Sequence, residues 1–257
     1  MSIDLEVRDG VAVVTINRPE RLNAMDADHY RGLSEAWIRI RDDIDIRVAI
    51  VTGAGERAFT TGADIKSFVA NPADLSQMWL TQRDQLLNRG LEVWKPVICA
   101  VNGLCLGGGM TLLLGTDIRV AAEHASFSLA EAKRGVIPAN GGTQRILSQL
   151  PYAIAMEMLL TGDSIDAATA LRWGLINRVV PSNQLMDAAF DYARRIAAAA
   201  PLAVQAAKEL AIRGQDVDLP TGLRMEQLVL RLLQSTEDAK EGAAAFAEKR
   251  PPIYSGR

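Results

Sequence analysis

Three short stretches of the chain combine residue types and spacings that could do chemistry. The first is NGLCLGGGMTLLLG, Asn102 to Gly115, where three adjacent glycines separate a strand-like run from an apolar helix-like one. Backbone N–H groups at a helix start lack intrahelical partners, and the helix dipole is positive there. Glycine lets a ligand approach that backbone, so the place could bind phosphate or polarise a carbonyl oxygen. Tight helix-to-strand packing accounts for a glycine cluster equally well. The spacing fits neither GxGxxG nor the P-loop pattern. The second stretch is TTGADIKSF, Thr60 to Phe68. Gly62 and Ala63 expose backbone there, Asp64 could cap a helix, and Lys66 could meet a phosphate. A cap and a solvated surface lysine are the plainer account. The third is FSLAEAKRGVIPANGGTQR, Phe127 to Arg145. Glu131 stands among small and apolar residues, where partial burial would raise its pKa toward values useful for proton transfer. Taken alone, it reads equally as an exposed glutamate in a first helical turn.

The elements that must position these stretches alternate in the first 150 residues. Asp9-Gly10 predicts a hairpin turn leading into a strand over Val11 to Ile16. Tyr30, Leu33, Trp37, Ile40 and Ile44 recur at steps of three and four, which predicts a helix. The runs Arg47 to Thr52 and Val97 to Val101 are β-branched and bounded by Gly53 and Pro96, as buried strands are. Strands spaced by helices imply parallel pairing with crossovers, an α/β fold. After about residue 150 the pattern becomes helical, with candidates over Asp166 to Trp173, Leu185 to Ala199, Leu202 to Ile212 and Leu223 to Leu233. Ser235 and Asp238 follow at a spacing that resembles a capping signal. The Leu223 to Leu233 stretch holds more apolar residues than one buried face requires, which suits either subunit contact or deep burial.

Composition narrows the classes. The 257 residues carry 28 Lys+Arg against 31 Asp+Glu, a net charge of −3, and are 49% hydrophobic and 23% charged. That excludes disordered, collagen-like and disulfide-scaffold classes. With a pI of about 5.5 and no basic block, no nucleic-acid partner is expected. Two cysteines in apolar runs, Cys99 and Cys105, suit a reducing compartment and a cytoplasmic location. Two separated histidines, His29 and His124, argue against a His-based metal site, and no metal is expected. The N-terminal MSIDLEVRDG has no apolar stretch of signal-peptide type. Pro96 to Thr116 is 21 residues without a charge, but Asn102 and five glycines interrupt it. It reads as a buried strand, loop and helix, not as a membrane span.

Together the three stretches resemble the crotonase family, the enoyl-CoA hydratase/isomerase superfamily. The resemblance covers essentially the whole chain. It runs through INRPERLNAM, AFTTGADIKSF, KPVICAVNGLCLGGG, DIRVAAEHASFSLAEAKRGVIPANGGTQR, LTGDSIDAATALRWGLINRVV and FAEKR, and RWGLINRVV with STEDAKEG is most similar to the carnitinyl-CoA dehydratase branch. The resemblance implies a crotonase (ClpP/crotonase-like) fold of repeated ββα turns. It also implies a core over residues 1–195 and a helical region over 196–257 that builds trimers, often hexamers. The substrate is then a coenzyme A thioester, with no further cofactor. Its carbonyl would be held by the N–H groups of Ala63 and Gly108. Coenzyme A would lie near Ala58, Gly62 and Ile65, with Lys66 at its phosphates and Phe246 and Lys249 reaching the nucleotide of a neighbouring subunit. The acyl tail would line up within Phe68 to Leu91.

Hydratases of this family use two glutamates on one water, and only one is present. Glu131 matches the second; Thr111 stands at the first, and Ala139 replaces a glycine that helps hold the water. A threonine hydroxyl can orient water but cannot act as a base near neutrality. Three readings follow: hydration or dehydration with Glu131 as acid/base and Thr111 orienting water, double-bond isomerisation by Glu131 alone, or a catalytically weak acyl-CoA-binding protein.

Overall fold

The computed structural model describes residues 2–70 and 85–257, so most of the expected tail-pocket segment, 71–84, lies outside the described residues. A six-stranded sheet forms the centre. Strands β1 (Ile3–Arg8) and β2 (Val11–Ile16) pair antiparallel across the Asp9-Gly10 turn. From β2 the sheet continues in parallel through β3 (Val48–Gly53), β5 (Val97–Val101), β7 (Ile118–Ala122) and β10 (Arg178–Val180). A second sheet runs β4 (Ala58–Thr60), β6 (Leu104–Leu106), β8 (Ser126–Ser128), with β9 (Ile165–Asp166) closing it antiparallel. Each turn of chain thus gives one strand to the large sheet and the next to the small one.

The large sheet is covered on both faces, which explains its unbroken apolar runs. Side chains alternate across it. Ala49, Val51, Val97, Cys99 and Val101 face a core shared with Leu33, Trp37 and Ile40 of α1 (Ala27–Asp42). Val48, Ile50, Ile98 and Ala100 face Leu185, Ala188, Ala189 and Ala193 of the helix Leu185–Ala197. Both cysteines are free and fully buried, and burial pushes the Cys99 thiol up to about 12 and the Cys105 thiol well above its ordinary range.

The C-terminal region is built differently. Helices Pro201–Arg213 and Leu219–Leu233 contain no buried residue, and Leu219, Leu228, Leu230 and Leu232 are each more than half exposed. Deep burial of the Leu223 stretch is therefore excluded, and the helix starts four residues earlier than its apolar pattern, at the Asp218 cap and Pro220. Two further local expectations are corrected. Ile44 lies beyond the end of α1 and is 79% exposed, because the chain leaves helical geometry at Asp43. The final helix, Glu237–Glu248, is capped by the Thr236 hydroxyl, which accepts from Ala239 N, and not by Ser235. Asp238 instead is buried and accepts from the backbone N–H groups of Ser255 and Gly256, tying down the C-terminal tail.

Among the described residues no helix is long and apolar enough to cross a membrane, and no cluster of three His, Cys, Asp or Glu side chains could hold a metal.

Candidate active site

The site is assembled from two loops that leave the small sheet, one after β4 and one after β6. The loop after β4 carries Gly62, Ala63 and Asp64. Met25 N donates to Gly62 O and Asp64 N to Met25 O, both at 2.8 Å, so Ala63 is the middle residue of a parallel bridge. In that geometry its own N–H turns away from Met25. The INRPERLNAM motif holds this arrangement together. Asn23, fully buried, donates to the carbonyls of Ala54 and Ala58 and accepts from Arg18 N. The Arg18 guanidinium bridges Asp26 at 3.2 Å and Asp64 at 3.0 Å. Asp26 is in turn the cap of α1, accepting from the N–H groups of Asp28 and His29. The first turn of α1 and the Ala63 loop are thereby one mechanical unit.

The loop after β6 carries the glycine triplet, anchored where Gly107 N donates to Ser128 O. Gly62 and Gly108 touch so closely that only glycine is tolerated at the first. Gly62 sits at φ +85°, and a Cβ there would lie 2.5 Å from Gly108 N. A Cβ on Gly108 would in turn lie 3.5 Å from Ala63 N and 3.1 Å from Gly62 Cα. The amides of Ala63 and Gly108 therefore stand beside each other, and neither donates to a partner among the described residues. Ala63 is exposed and Gly108 half-buried, so solvent or a ligand can reach them.

Glu131 comes to the same place from the short 3-10 helix Ala130–Arg134. Its position is fixed from behind, where Ser128 Oγ donates to Gly162 O and Gly162 packs against Ala130 Cα. Glu131 Oε1 lies 3.3 Å from where a Cβ of Gly107 would be, one residue from the Gly108 amide. Its Oε2 is shielded from solvent and has no hydrogen-bond partner among the described residues. Burial raises the Glu131 carboxyl above its usual range, with its own backbone N–H and Arg134 partly offsetting this.

The structure treats the remaining expected residues unevenly. Thr111 is buried, and its hydroxyl is already engaged: it donates to Gly108 O at 3.1 Å and accepts from Asn88 Nδ2 at 3.3 Å. Ile65 and Lys66 are exposed beside the Ala63 loop. Ala58 is corrected: it is 1% exposed and its carbonyl accepts from Asn23 and Asn102, so it offers a ligand nothing. Phe246, 87% exposed, and Lys249 lie at the end of the last helix. His124 bonds Glu56 O and Ser182 Oγ, and His29 bonds Asp26, so both have structural partners. One residue near the amide pair, Tyr30, escaped the sequence reading as anything but a helix-face residue. Its hydroxyl lies 3.1 Å from the Cβ position of Gly108.

Residues 6–257 match the enoyl-CoA hydratase/isomerase family. The chain belongs to this family. It is 43% identical over 256 residues to an (E)-benzylidenesuccinyl-CoA hydratase of Thauera aromatica, each chain covered in full. It is 42% identical over 264 residues to a carnitinyl-CoA dehydratase of Proteus mirabilis (strain HI4320), covering 100% of this chain and 99% of the relative. Among solved structures, an enoyl-CoA hydratase from Bacillus anthracis superposes with a TM-score of 0.91 at 36% identity, both chains covered in full. The crotonase fold and the enoyl-CoA hydratase/isomerase type of enzyme are thus shown.

Proposed function

We propose that this family member adds water to, or removes it from, the double bond of a 2-enoyl-CoA, with Ala63 and Gly108 N–H holding the thioester oxygen and Glu131 moving the protons. The observation that carries this reading is the unpartnered, shielded Oε2 of Glu131 beside an unpartnered pair of amides. In hydration, Glu131 takes a proton from water as the water oxygen bonds to the β-carbon. The π electrons move onto the thioester oxygen, and the enolate is stabilised by donors already in place. Glu131 then returns the proton to the α-carbon. Dehydration is the reverse. A carboxyl lifted by burial is suited to both directions, since its pKa approaches working pH.

The coenzyme is proposed to pass over Gly62 and Ile65, with Lys66 at its phosphates. The apolar face of Leu219–Leu233, left uncovered by its own chain, supports self-association of the C-terminal region 196–257 against other copies, as a trimer or hexamer, with Phe246 and Lys249 supplied across that contact. Residues 1–195 would then form the core unit.

One observation favours a second reading. The Thr111 hydroxyl spends its proton and one acceptor site on the protein, which weakens its grip on water. Isomerisation needs no water: Glu131 would carry a proton from the α-carbon of a 3-enoyl thioester to its γ-carbon. Absorbance of the conjugated thioester separates the two. It is expected to fall with 2-enoyl-CoA; a rise with 3-enoyl-CoA and no change with 2-enoyl-CoA would replace hydration by isomerisation.

A further inference from the structure

Two buried oxygens in this part of the molecule have no donor to meet. One is Glu131 Oε2. The other is Oδ1 of Asn88, a residue only 4% exposed, whose oxygen is shielded from solvent and has no hydrogen-bond partner among the described residues. Thr111 settles which end of that amide is left over. Its hydroxyl gives its proton to Gly108 O, so toward Asn88 it can only accept, and the amide presents Nδ2 to it at 3.3 Å. Thr111 also ties Asn88 to the Glu131 side of the site, since Thr111 N donates to Gly107 O and Glu131 Oε1 lies beside Gly107. A buried acceptor without a donor costs stability, and so calls for an occupant. Water brings two protons on one oxygen, and the site offers two acceptors, a carboxylate that can keep a proton and a neutral amide that cannot. We propose that Asn88 Oδ1 holds the second proton of the reacting water, beside the place where Thr111 stands instead of an acid.

The mounting of Asn88 supports the assignment. A group that positions water must itself be held. Asn88 lies inside a closed turn in which Leu86 N donates to Arg89 O at 3.0 Å and Arg89 N to Leu86 O at 2.8 Å. Its own carbonyl accepts from Arg145 Nη1 at 2.9 Å. Arg145 closes the same stretch, Phe127 to Arg145, that carries Glu131, so one stretch bears the carboxylate and anchors the second acceptor. The division of labour follows from the chemistry of the two groups. Glu131 takes one proton as the water oxygen bonds to the β-carbon and the π electrons move onto the thioester oxygen. The other proton stays on the oxygen, which becomes the product hydroxyl, and Asn88 Oδ1 keeps that O–H bond aimed away from the β-carbon. Glu131 then delivers its proton to the α-carbon. Dehydration uses the same two contacts in reverse.

The inference rests on the hydration reading, and the test separates the two ideas. Two rates are compared in each variant. One is hydration of 2-butenoyl-CoA or 3-phenylpropenoyl-CoA. The other is exchange of the α-protons of the matching saturated thioester, butyryl-CoA or 3-phenylpropanoyl-CoA, in D2O, followed by NMR. In that exchange the α C–H bond breaks, the proton goes to Glu131, the electron pair moves onto the thioester oxygen, and a deuteron returns; no water is added. Asn88→Leu removes both ends of the amide at similar volume, and hydration at saturation is expected to fall by roughly 10- to 100-fold, the range for lost positioning, with exchange within about threefold of the parent. Asn88→Asp keeps an oxygen there and should hold hydration within about fivefold of the parent. A crystal structure of the parent should show a water within about 3.2 Å of Asn88 Oδ1 that also bonds Glu131. Equal hydration in Asn88→Leu and parent would overturn the role of Asn88 and leave Glu131 and the amide pair standing. Hydration and exchange lost together would overturn it as a packing effect, and a loss in Asn88→Asp as large as in Asn88→Leu would show that the oxygen is not what matters. A water on Oδ1 out of reach of Glu131, or a protein donor on Oδ1, overturns it as well. No hydration of either thioester by the parent overturns both ideas, because there is then no added water to hold.

Discussion

The two halves of the proposed reaction centre are made of different material. The half proposed to bind the thioester oxygen is backbone: the Ala63 amide turned away from Met25 by their bridge, and the Gly108 amide pressed against Gly62. Its geometry is set by steric contact and by a hydrogen-bonded frame through Asn23 and Arg18. The half proposed to handle protons is side chain: Glu131 on a short 3-10 helix, Thr111 tied to Gly108 O and Asn88, and an exposed Ala139. A backbone donor cannot be exchanged by a point substitution except by distorting the loop, whereas a carboxylate can be removed outright. On the proposed mechanism the first half therefore defines a class of chemistry, enolate stabilisation, and the second selects the reaction within it.

If that contrast holds, the largest single effect belongs to Glu131. Replacing it by Gln keeps shape and burial but removes the proton acceptor. Turnover is expected to fall by about 10²- to 10⁴-fold, the usual worth of a positioned acid/base, with thioester binding little changed. Undiminished turnover would show that the chemistry lies elsewhere. The same variant has a signature in stability. Glu131 has a raised pKa in the folded protein, so the native state holds its proton more tightly than the unfolded chain. Stability therefore drops as pH rises from the unfolded value, near 4.5, through the folded one, and stays lower above it. Glu131→Gln removes that loss. It should melt higher than the parent at pH 7, with the gain fading below about pH 4.5. The parent's kcat/KM should show an acid limb displaced upward from the ordinary glutamate range. An inactive variant that melts lower than the parent at pH 7 would mean that the charge is paired and not strained.

The backbone half is tested by adding one methyl. Gly62→Ala places a Cβ 2.5 Å from Gly108 N at a residue with φ +85°. The strain of a left-handed alanine is about 1–2 kcal/mol, and the clash can be relieved only by parting the two loops. Turnover should drop by roughly 10²- to 10³-fold, the worth of one oxyanion donor, even though no catalytic side chain has changed. The pH profile of what activity remains should keep the acid limb of Glu131. A variant with near-parent turnover would break the comparison, because the close approach of Gly62 and Gly108 would then be packing alone.

The contrast also explains what could be read from the residues in order. Strand runs such as Val48–Gly53 and Val97–Val101 announce themselves because both faces of the large sheet are buried. The glycine turns and Glu131 are visible because their types are constrained by contact or burial. Tyr30 was hidden, since its spacing with Leu33 and Trp37 matches an ordinary helix face and its proximity to Gly108 comes from a loop 78 residues away in sequence. Ala58 misled in the opposite direction: a small residue beside a ligand loop looks accessible, but Asn23 and Asn102 close over its carbonyl. The apolar excess of Leu219–Leu233 was legible as a pattern, while only the fold shows that its own chain leaves it uncovered. Local order carries periodicity and turn chemistry; it carries no information on which side chains meet across the sheets.

Thr111 lies where the two halves join, and its effect should be the smallest of the three. If its hydroxyl is a tie within the protein, Thr111→Val leaves Gly108 O and Asn88 Nδ2 without that partner in a buried place. Losing such a partner costs about 1–3 kcal/mol, read as a lower denaturation midpoint with an unchanged slope. Turnover should then change by only a few-fold, because Gly108 N is held separately through the packing of Gly62. If the hydroxyl instead grips the attacking water, the pattern reverses: hydration falls by well over tenfold while α-proton exchange on a saturated thioester, which needs no water addition, is spared. The ratio of those two rates in Thr111→Val therefore decides whether this position belongs with the backbone that holds the oxygen or with the side chains that deliver the water.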